Sequence, residues 1–221
     1  MDLINELADL LSSHANRDKV VGLVGYTLKL WGTTARKSHI LAASGKLAQA
    51  RTALRLFDDA AVLKAAYAYG LGKQEGPFWG TLGVAGNTFT LLYLQAEKLV
   101  FLLDCGVVRL DKELDYKIRT AHKVLWCLSA FTGTVRSIRP LHLSAQSLSA
   151  PAPAACAPAR FSHACLTTTK LLLDSVHAAS WLPAGWLWGG MDARKVSAVA
   201  TATGVLGLVL HYQGKRLAKS K

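Results

Sequence analysis

The residues able to do acid–base chemistry are poorly placed for it. Asp58 and Asp59 are adjacent, and consecutive side chains on a helix point about 100° apart. Two carboxylates that diverge in this way cannot act as acid and base on one substrate. The seven histidines are dispersed, and the chain contains neither G-x-S-x-G nor H-E-x-x-H. We therefore predict no catalytic residues and no enzymatic activity.

The four cysteines give no metal-binding pattern. Cys105, Cys127, Cys156 and Cys165 form no C-x-x-C pair, and no histidine stands at ligand spacing from them. Free thiols in a reducing compartment are the expectation. The string YGLGK at 69–73 contains two glycines but neither of the glycine patterns that hold phosphate groups. The sequence thus predicts neither a metal nor a cofactor.

The remaining chemistry is contact with an anionic surface, and one helix is suited to it. The segment 44–63 has no proline and begins at Ser44, a residue that can cap a helix. Large apolar side chains share one face at helical spacing, and cations flank it. The predicted membrane-inserting residues are Leu47, Leu54 and Phe57, and the predicted headgroup contacts are Lys46, Arg51 and Arg55. Such a helix either packs on the protein's own core or lies in a membrane interface.

The composition favours the membrane. The formal net charge is +12, while only 18% of the 221 residues are charged and 51% are hydrophobic. Mean hydropathy is +0.24, and soluble domains carry about 25% charged residues. A basic excess suits an anionic partner. Because the cations are spread through apolar sequence and form no dense block, an acidic lipid surface fits better than nucleic acid, which we exclude as a partner.

Two segments are candidates to cross a bilayer. Residues 196–212 run for 17 positions without a formal charge and are followed by four cations, Lys215, Arg216, Lys219 and Lys221. This length is the lower limit for a span, and the positive-inside rule places the tail in the cytosol. A lipid-binding N-terminal region also faces the cytosol, so the number of crossings is even. Residues 82–103, which include Glu97 and Lys98, are the second candidate, either as a span or packed against other helices.

These elements predict an all-α fold, a helical membrane protein with an N-terminal amphipathic helix region and a C-terminal membrane helix. Residues 1–139 form the N-terminal region with the candidate first membrane helix. Residues 140–160 hold four of the six prolines and read as a disordered Ala/Pro/Ser-rich linker. Residues 161–221 hold the C-terminal helices and basic tail. Three tryptophans at 181–188 suit a membrane interface, or alternatively an aromatic plug in a core.

Several strings together resemble a known family. The chain is similar to the peroxin-eleven family of peroxisomal membrane proteins, and most of all to its gamma-type branch. The matching strings keep one order over residues 17–190: RD at 17–18, GY at 25–26, RTALRLFDD at 51–59, YGLG at 69–72, GN at 86–87, LY at 92–93 with Glu97, and WLPAGWLW at 181–188. The strings at 51–59 and 181–188 are the most specific. Lys46, Arg51 and Arg55 make the central helix less basic than in many members.

The resemblance implies an integral protein of the peroxisomal membrane that promotes membrane elongation and division. In the family an N-terminal amphipathic helix inserts into the cytosolic leaflet, a role that maps onto the helix beginning at Ser44. The implied partners are peroxisomal membrane lipids, further copies or other family members in homo- or hetero-oligomers, and the dynamin-type fission GTPase with its adaptors. The alternative is a membrane-embedded channel or carrier for small solutes, with Glu97 and Lys98 lining a polar path.

Overall fold

The computed structural model describes residues 2–150 and 155–219, and over those ranges it contains helices and no strand. Eight α-helices lie in the described ranges: α1 (Asp2–Ser12), α2 (His14–Ala35), α3 (Ser38–Leu54), α4 (Asp59–Tyr69), α5 (Pro77–Asp104), α6 (Lys112–Leu148), α7 (Ala157–Ala179) and α8 (Ala193–Lys219). Short 3-10 turns at Arg55–Phe57 and Lys73–Glu75 flank α4. The prediction of an all-α fold is confirmed.

Side-chain caps fix where α2 and α6 begin. The Asn16 amide donates to Ser13 Oγ at 3.3 Å. The Glu113 and Leu114 amides donate to Asp111 Oδ1 at 3.0 and 2.9 Å. Each bond satisfies a donor that has no partner within its own helix. Local sequence therefore sets these two boundaries.

The predicted continuous helix over 44–63 is interrupted in the structure. Ser44 lies inside α3, and its buried hydroxyl donates to the Gly25 carbonyl at 2.9 Å instead of capping a helix. The α-helix ends at Leu54, a 3-10 turn follows, and α4 begins at Asp59. Two ion pairs stabilise this interruption: His14 of α2 lies 3.1 Å from Asp58, and Lys98 of α5 lies 2.6 Å from Asp59. Tertiary contacts thus override the local helical pattern.

The predicted linker over 140–160 is also shorter in the structure. Helix α6 continues through Pro140 to Leu148, and α7 begins at Ala157. Proline lacks the amide that would bond the carbonyl four residues earlier, and its ring disturbs the preceding turn. The Thr168 hydroxyl of α7 donates to the Ser137 carbonyl in this part of α6, at 3.3 Å. Packing against α7 therefore supports a helix that the proline count argued against; residues 151–154 lie outside the described ranges.

Successive long helices pack antiparallel to each other. Thr90 of α5 bonds Ser129 of α6 at 2.7 Å, and Thr134 of α6 bonds Ser175 of α7 at 2.8 Å. Helix α8 then packs between α7 and α2, and α3 covers the other side of α2. A Cβ on Gly204 of α8 would lie 3.0 Å from Leu23 Cδ1, so this small residue permits the close approach of α8 to α2. The helices therefore follow one another in space as α3, α2, α8, α7, α6 and α5.

Helix α8 is the membrane-helix candidate. Within residues 2–150 and 155–219, Ala193–Ala218 is the one helical stretch long and apolar enough to cross a bilayer. The prediction of a C-terminal helix with this property is confirmed. The predicted second segment, 82–103, lies inside α5, which is long enough at 28 residues but not apolar enough to be such a stretch. Glu97 and Lys98 lower the apolarity of that segment.

Candidate functional site: an exposed apolar run and a charged cavity

The predicted inserting residues differ in their exposure. Leu47 is half-buried, whereas Leu54 is 42% exposed and Phe57 is 83% exposed. Leu54 ends α3 and Phe57 ends the 3-10 turn, so the helix break turns both side chains out of the bundle. A phenyl ring exposed to this degree has no packing role within the described chain.

The exposed apolar side chains continue past the break. Helix α4 presents Leu63 and Tyr67, the latter 91% exposed, and the segment up to the first turn of α5 adds Leu71 and Phe78. We call these residues the apolar run: Leu54, Phe57, Leu63, Tyr67, Leu71 and Phe78. Sequence reasoning missed the last four. The spacing of Leu63 and Tyr67 by one helical turn was a usable signal for α4.

Of the three predicted headgroup contacts, Lys46 is exposed and Arg51 is turned inward. Arg51 Nε and Nη2 donate to Asp18 Oδ1 and Oδ2, each at 2.9 Å, and Nη1 donates to the Tyr26 hydroxyl at 3.1 Å. Burial raises the pKa of Asp18, but the hydrogen bond and charge of Arg51 outweigh it and the pKa is lowered. This bidentate pair ties α3 to α2.

Arg55 is likewise engaged inside the bundle. Its Nη2 donates to the Tyr93 hydroxyl at 2.5 Å and lies 3.1 Å from Glu97 Oε2. The Tyr93 hydroxyl in turn donates to Glu97 Oε1 at 2.9 Å. This chain of bonds ties the turn after α3 to α5. Glu97 is thereby compensated by a cation from another helix, which accounts for a carboxylate in a mostly apolar segment.

Glu97 and Lys98 do not share one polar path. Glu97 is buried against Arg55, whereas Lys98 donates to Asp59 Oδ2 at 2.6 Å on the side of α4. The adjacent aspartates, Asp58 and Asp59, serve as ion-pair partners for His14 and Lys98. Each of these charges has a local structural role.

A cavity of about 470 Å³ lies between α2, α3, α5, α6 and the end of α7. Aromatic rings form much of its wall. His122 stacks on Tyr93 with centroids 5.0 Å apart, and His177 meets Trp126 edge-on at 5.2 Å. Burial, together with nearby cations, lowers the pKa of both histidines to about 4, so both are neutral at physiological pH.

The tryptophan-rich segment after α7 has one ring against this cavity and two outside it. Trp181 Nε1 donates to His177 Nε2 at 3.2 Å, and Trp181 lines the cavity. Trp186 and Trp188 are 54% and 45% exposed. The segment therefore combines a packing contact with exposed rings of the kind found at membrane interfaces.

Known peroxisomal membrane proteins are similar to this chain in sequence. The sequence profile of the family described as peroxisomal biogenesis factor 11 (PEX11) matches residues 4–211. Peroxisomal membrane protein 11C of Mus musculus is 32% identical over 210 residues, covering 86% of each chain. The Homo sapiens protein of the same name is 30% identical over 237 aligned positions, covering 98% of this chain and 96% of the relative. No solved structure matches significantly.

The match extends over nearly the whole described bundle, from α1 to α8, and includes both the apolar run and the cavity. Both relatives are gamma-type peroxisomal membrane proteins, the branch of the family that the sequence resembles. The chain belongs to the PEX11 family of peroxisomal membrane proteins.

Proposed function

We propose that this protein elongates the peroxisomal membrane and promotes its division by inserting the apolar run into the cytosolic leaflet, as a membrane-shaping protein and not as an enzyme. The observation that carries the proposal is the exposure of Leu54 and Phe57 at the break between α3 and α4. A wedge in one leaflet expands that leaflet alone and therefore favours curvature.

The energies suit reversible insertion. Burying one large apolar side chain contributes roughly 1.5–3 kcal/mol, and the apolar run supplies six such side chains with partial exposure. A cation near an acidic surface adds about 1 kcal/mol, and Lys46 is exposed on α3. Helix α8 supplies the permanent anchor in this proposal, so insertion of the run changes membrane shape without deciding membrane residence.

Headgroup contact by Arg51 and Arg55 requires their ion pairs to open. Both guanidinium groups are satisfied within the bundle by Asp18 and by Glu97. In the packed state Lys46 provides the headgroup contact. Release of α3 from α2 and α5 would expose both arginines and the inner face of α3, which includes Leu47. Insertion by all of the predicted residues is thus coupled to undocking of α3.

The test is tubulation of acidic liposomes by the full-length protein. Changing Leu54→Glu together with Phe57→Glu places two carboxylates where the leaflet is to be entered, and we expect tubules to disappear. Because both side chains are exposed, the fold and the membrane residence of the protein remain. Tubulation by this double variant at the wild-type level would overturn the assignment.

A matched control is available at the other end of α5. Val107 and Tyr116 are 72% and 61% exposed, and their double change to Glu adds the same charge to exposed apolar positions. We expect this control to tubulate normally. Loss of tubulation in both double variants would point to charge alone as the cause.

The proposed partners are peroxisomal membrane lipids, further copies of this chain or other family members, and the dynamin-type fission machinery. In this proposal a single inserted run does not deform the membrane by itself. Self-association brings many inserted runs into one membrane region, where together they bend it. Crosslinking of the protein in peroxisomal membranes tests the oligomer directly. Co-isolation of the fission GTPase from those membranes, compared between wild type and the Leu54→Glu, Phe57→Glu variant, tests whether recruitment depends on insertion.

A further inference from the structure

The cavity has the size and wall chemistry of a ligand site. Its volume of about 470 Å³ falls in the range of about 300–1,000 Å³ typical of small-molecule sites. The elements around it are α2, α3, α5, α6 and the end of α7, so five segments converge on one space. Such sites combine an apolar, aromatic wall with a few placed polar groups.

The aromatic rings are arranged to accept an apolar or planar group. Trp126 stands near both Tyr93 and Trp181, with ring centroids 6.4 and 6.5 Å away. Tyr26 meets His177 edge-on at 5.3 Å. All five of these side chains line the cavity. The rings hold each other in place, so the wall exists before any ligand arrives.

The cations that line the cavity fall into two groups, those paired with a carboxylate and those that are not. Arg51, Arg55 and Arg119 each have a carboxylate partner: Asp18, Glu97, and the pair Asp104 and Asp115. Lys29 and Lys123 also line the cavity, yet no carboxylate of the described residues lies within 4.0 Å of either ammonium group. Two lysines therefore add positive charge that the protein does not neutralise nearby.

Both lysines are in settings that favour an anion. Lys29 is half-buried with its Nζ 4.9 Å from the Trp181 ring centroid, and burial lowers its pKa. A nearby anion would offset that loss of solvation. Lys123 follows His122 on α6, and His122 Nε2 is buried without a hydrogen-bond partner among the described residues. Buried polar atoms of this kind are normally satisfied.

We propose that this cavity binds a small organic anion, a phosphate or carboxylate carried on an aromatic or short apolar group. The anionic group lies at Lys29 and Lys123, and the apolar group lies against Trp126 and Trp181. This site goes beyond the proposed membrane-shaping role, because it concerns the interior of the bundle and not the apolar run.

The experiment is calorimetric titration of the full-length protein in a neutral detergent with four water-soluble probes. Phenyl phosphate and benzoate carry both features, inorganic phosphate carries only the charge, and benzyl alcohol carries only the ring. We expect binding of phenyl phosphate, benzoate or both, and at least about tenfold weaker binding of the other two. Equal binding of inorganic phosphate or of benzyl alcohol, or binding of none of the four, overturns the proposal.

Variants locate the site. Changing Lys29→Met together with Lys123→Met keeps the aliphatic part of both side chains and removes their charge. We expect this double variant to bind the aryl anions about tenfold more weakly or worse. The control, Lys64→Met with Lys112→Met, lowers the net charge equally at exposed positions outside the cavity and is expected to bind the aryl anions normally. If the first double variant does not fold by circular dichroism, Lys123→Met alone serves, because Lys123 makes no ion pair with a described residue that its loss would break. Unchanged affinity in a folded variant overturns the proposal.

Discussion

At the residue scale, the bidentate ion pair between Arg51 and Asp18 ties α3 to α2. Its side chains are only 17% and 20% exposed. Changing Asp18→Asn leaves the guanidinium charge without its carboxylate, and removing one partner of such a pair costs about 3 kcal/mol. We expect the free energy of unfolding in detergent to fall by that amount. Glu113→Gln, at an exposed pair with Lys117, should change it by less than about 1 kcal/mol; equal losses would contradict the assignment.

His177 makes stability depend on pH. Its Nε2 accepts a hydrogen bond from Trp181, and burial with the charges of Lys29 and Arg51 lowers its pKa to about 4. An unfolded histidine has a pKa of about 6.5, so between these values the unfolded chain binds more protons. Stability is therefore full above about pH 6.5 and falls as the pH drops toward 4, by up to about 1.4 kcal/mol per unit from this group.

Melting temperatures at pH 7 and pH 5 measure this dependence. We expect the wild type to melt lower at pH 5 and His177→Gln to show a smaller difference, of which His122, whose pKa is lowered to the same value, contributes a further part. His39 is exposed, and His39→Gln should retain the wild-type difference. A wild type that melts identically at both pH values would refute the role of the buried histidines.

At the element scale, one glycine sets how α5 meets the turn after α4. A Cβ on Gly80 would lie 2.6 Å from the Gly72 carbonyl oxygen, which is backbone and cannot rotate away. We expect Gly80→Ala to lower the free energy of unfolding by roughly 1–3 kcal/mol. Among the described residues, no atom outside the neighbouring backbone of α3 lies within 4 Å of a Cβ on Gly45, so Gly45→Ala should stabilise the protein by about 0.5–1 kcal/mol. Chemical denaturation of both variants checks the opposite signs.

Helix boundaries that depend on local sequence could be predicted, and boundaries that depend on contacts distant in the sequence could not. Periodicity predicted helices in much of the N-terminal region, and a charge-free run flanked by cations predicted the apolar C-terminal helix. The break after Leu54 depends on partners such as Lys98, 39 residues from Asp59, and no local pattern encodes that distance. For the same reason the inward turn of Arg51 was missed, because Asp18 lies 33 residues away. Phe57 is exposed, and it lies in the 3-10 turn that interrupts the predicted helix.

At the scale of the whole molecule, alternating helix directions link the ends of α5 and α8. Helices α5, α6, α7 and α8 pack antiparallel in sequence. Gly86 and Thr90 of α5 lie by Thr132 and Ser129 of α6, and Thr134 and Ser137 of α6 lie by Ser175 and Thr168 of α7. A Cβ on Gly207 of α8 would lie 3.5 Å from Lys170 in α7 and a Cβ on Gly214 3.9 Å from His163, so α8 also runs antiparallel to α7. The end of α5 and the start of α8 therefore lie at the same end of the bundle.

This arrangement makes the predicted topology testable through Cys105, an exposed free thiol immediately after α5. If α8 crosses with its basic end in the cytosol and both termini are cytosolic, α5 is the second crossing and Cys105 faces the lumen. In a chain whose other cysteines are changed to Ser, we expect a membrane-impermeant maleimide to label Cys105 only after intact peroxisomes are permeabilised. A cysteine introduced at exposed Ser12 should be labelled without permeabilisation. Labelling of Cys105 in intact peroxisomes would instead place the end of α5, and with it the start of α8, in the cytosol, and would overturn the predicted topology.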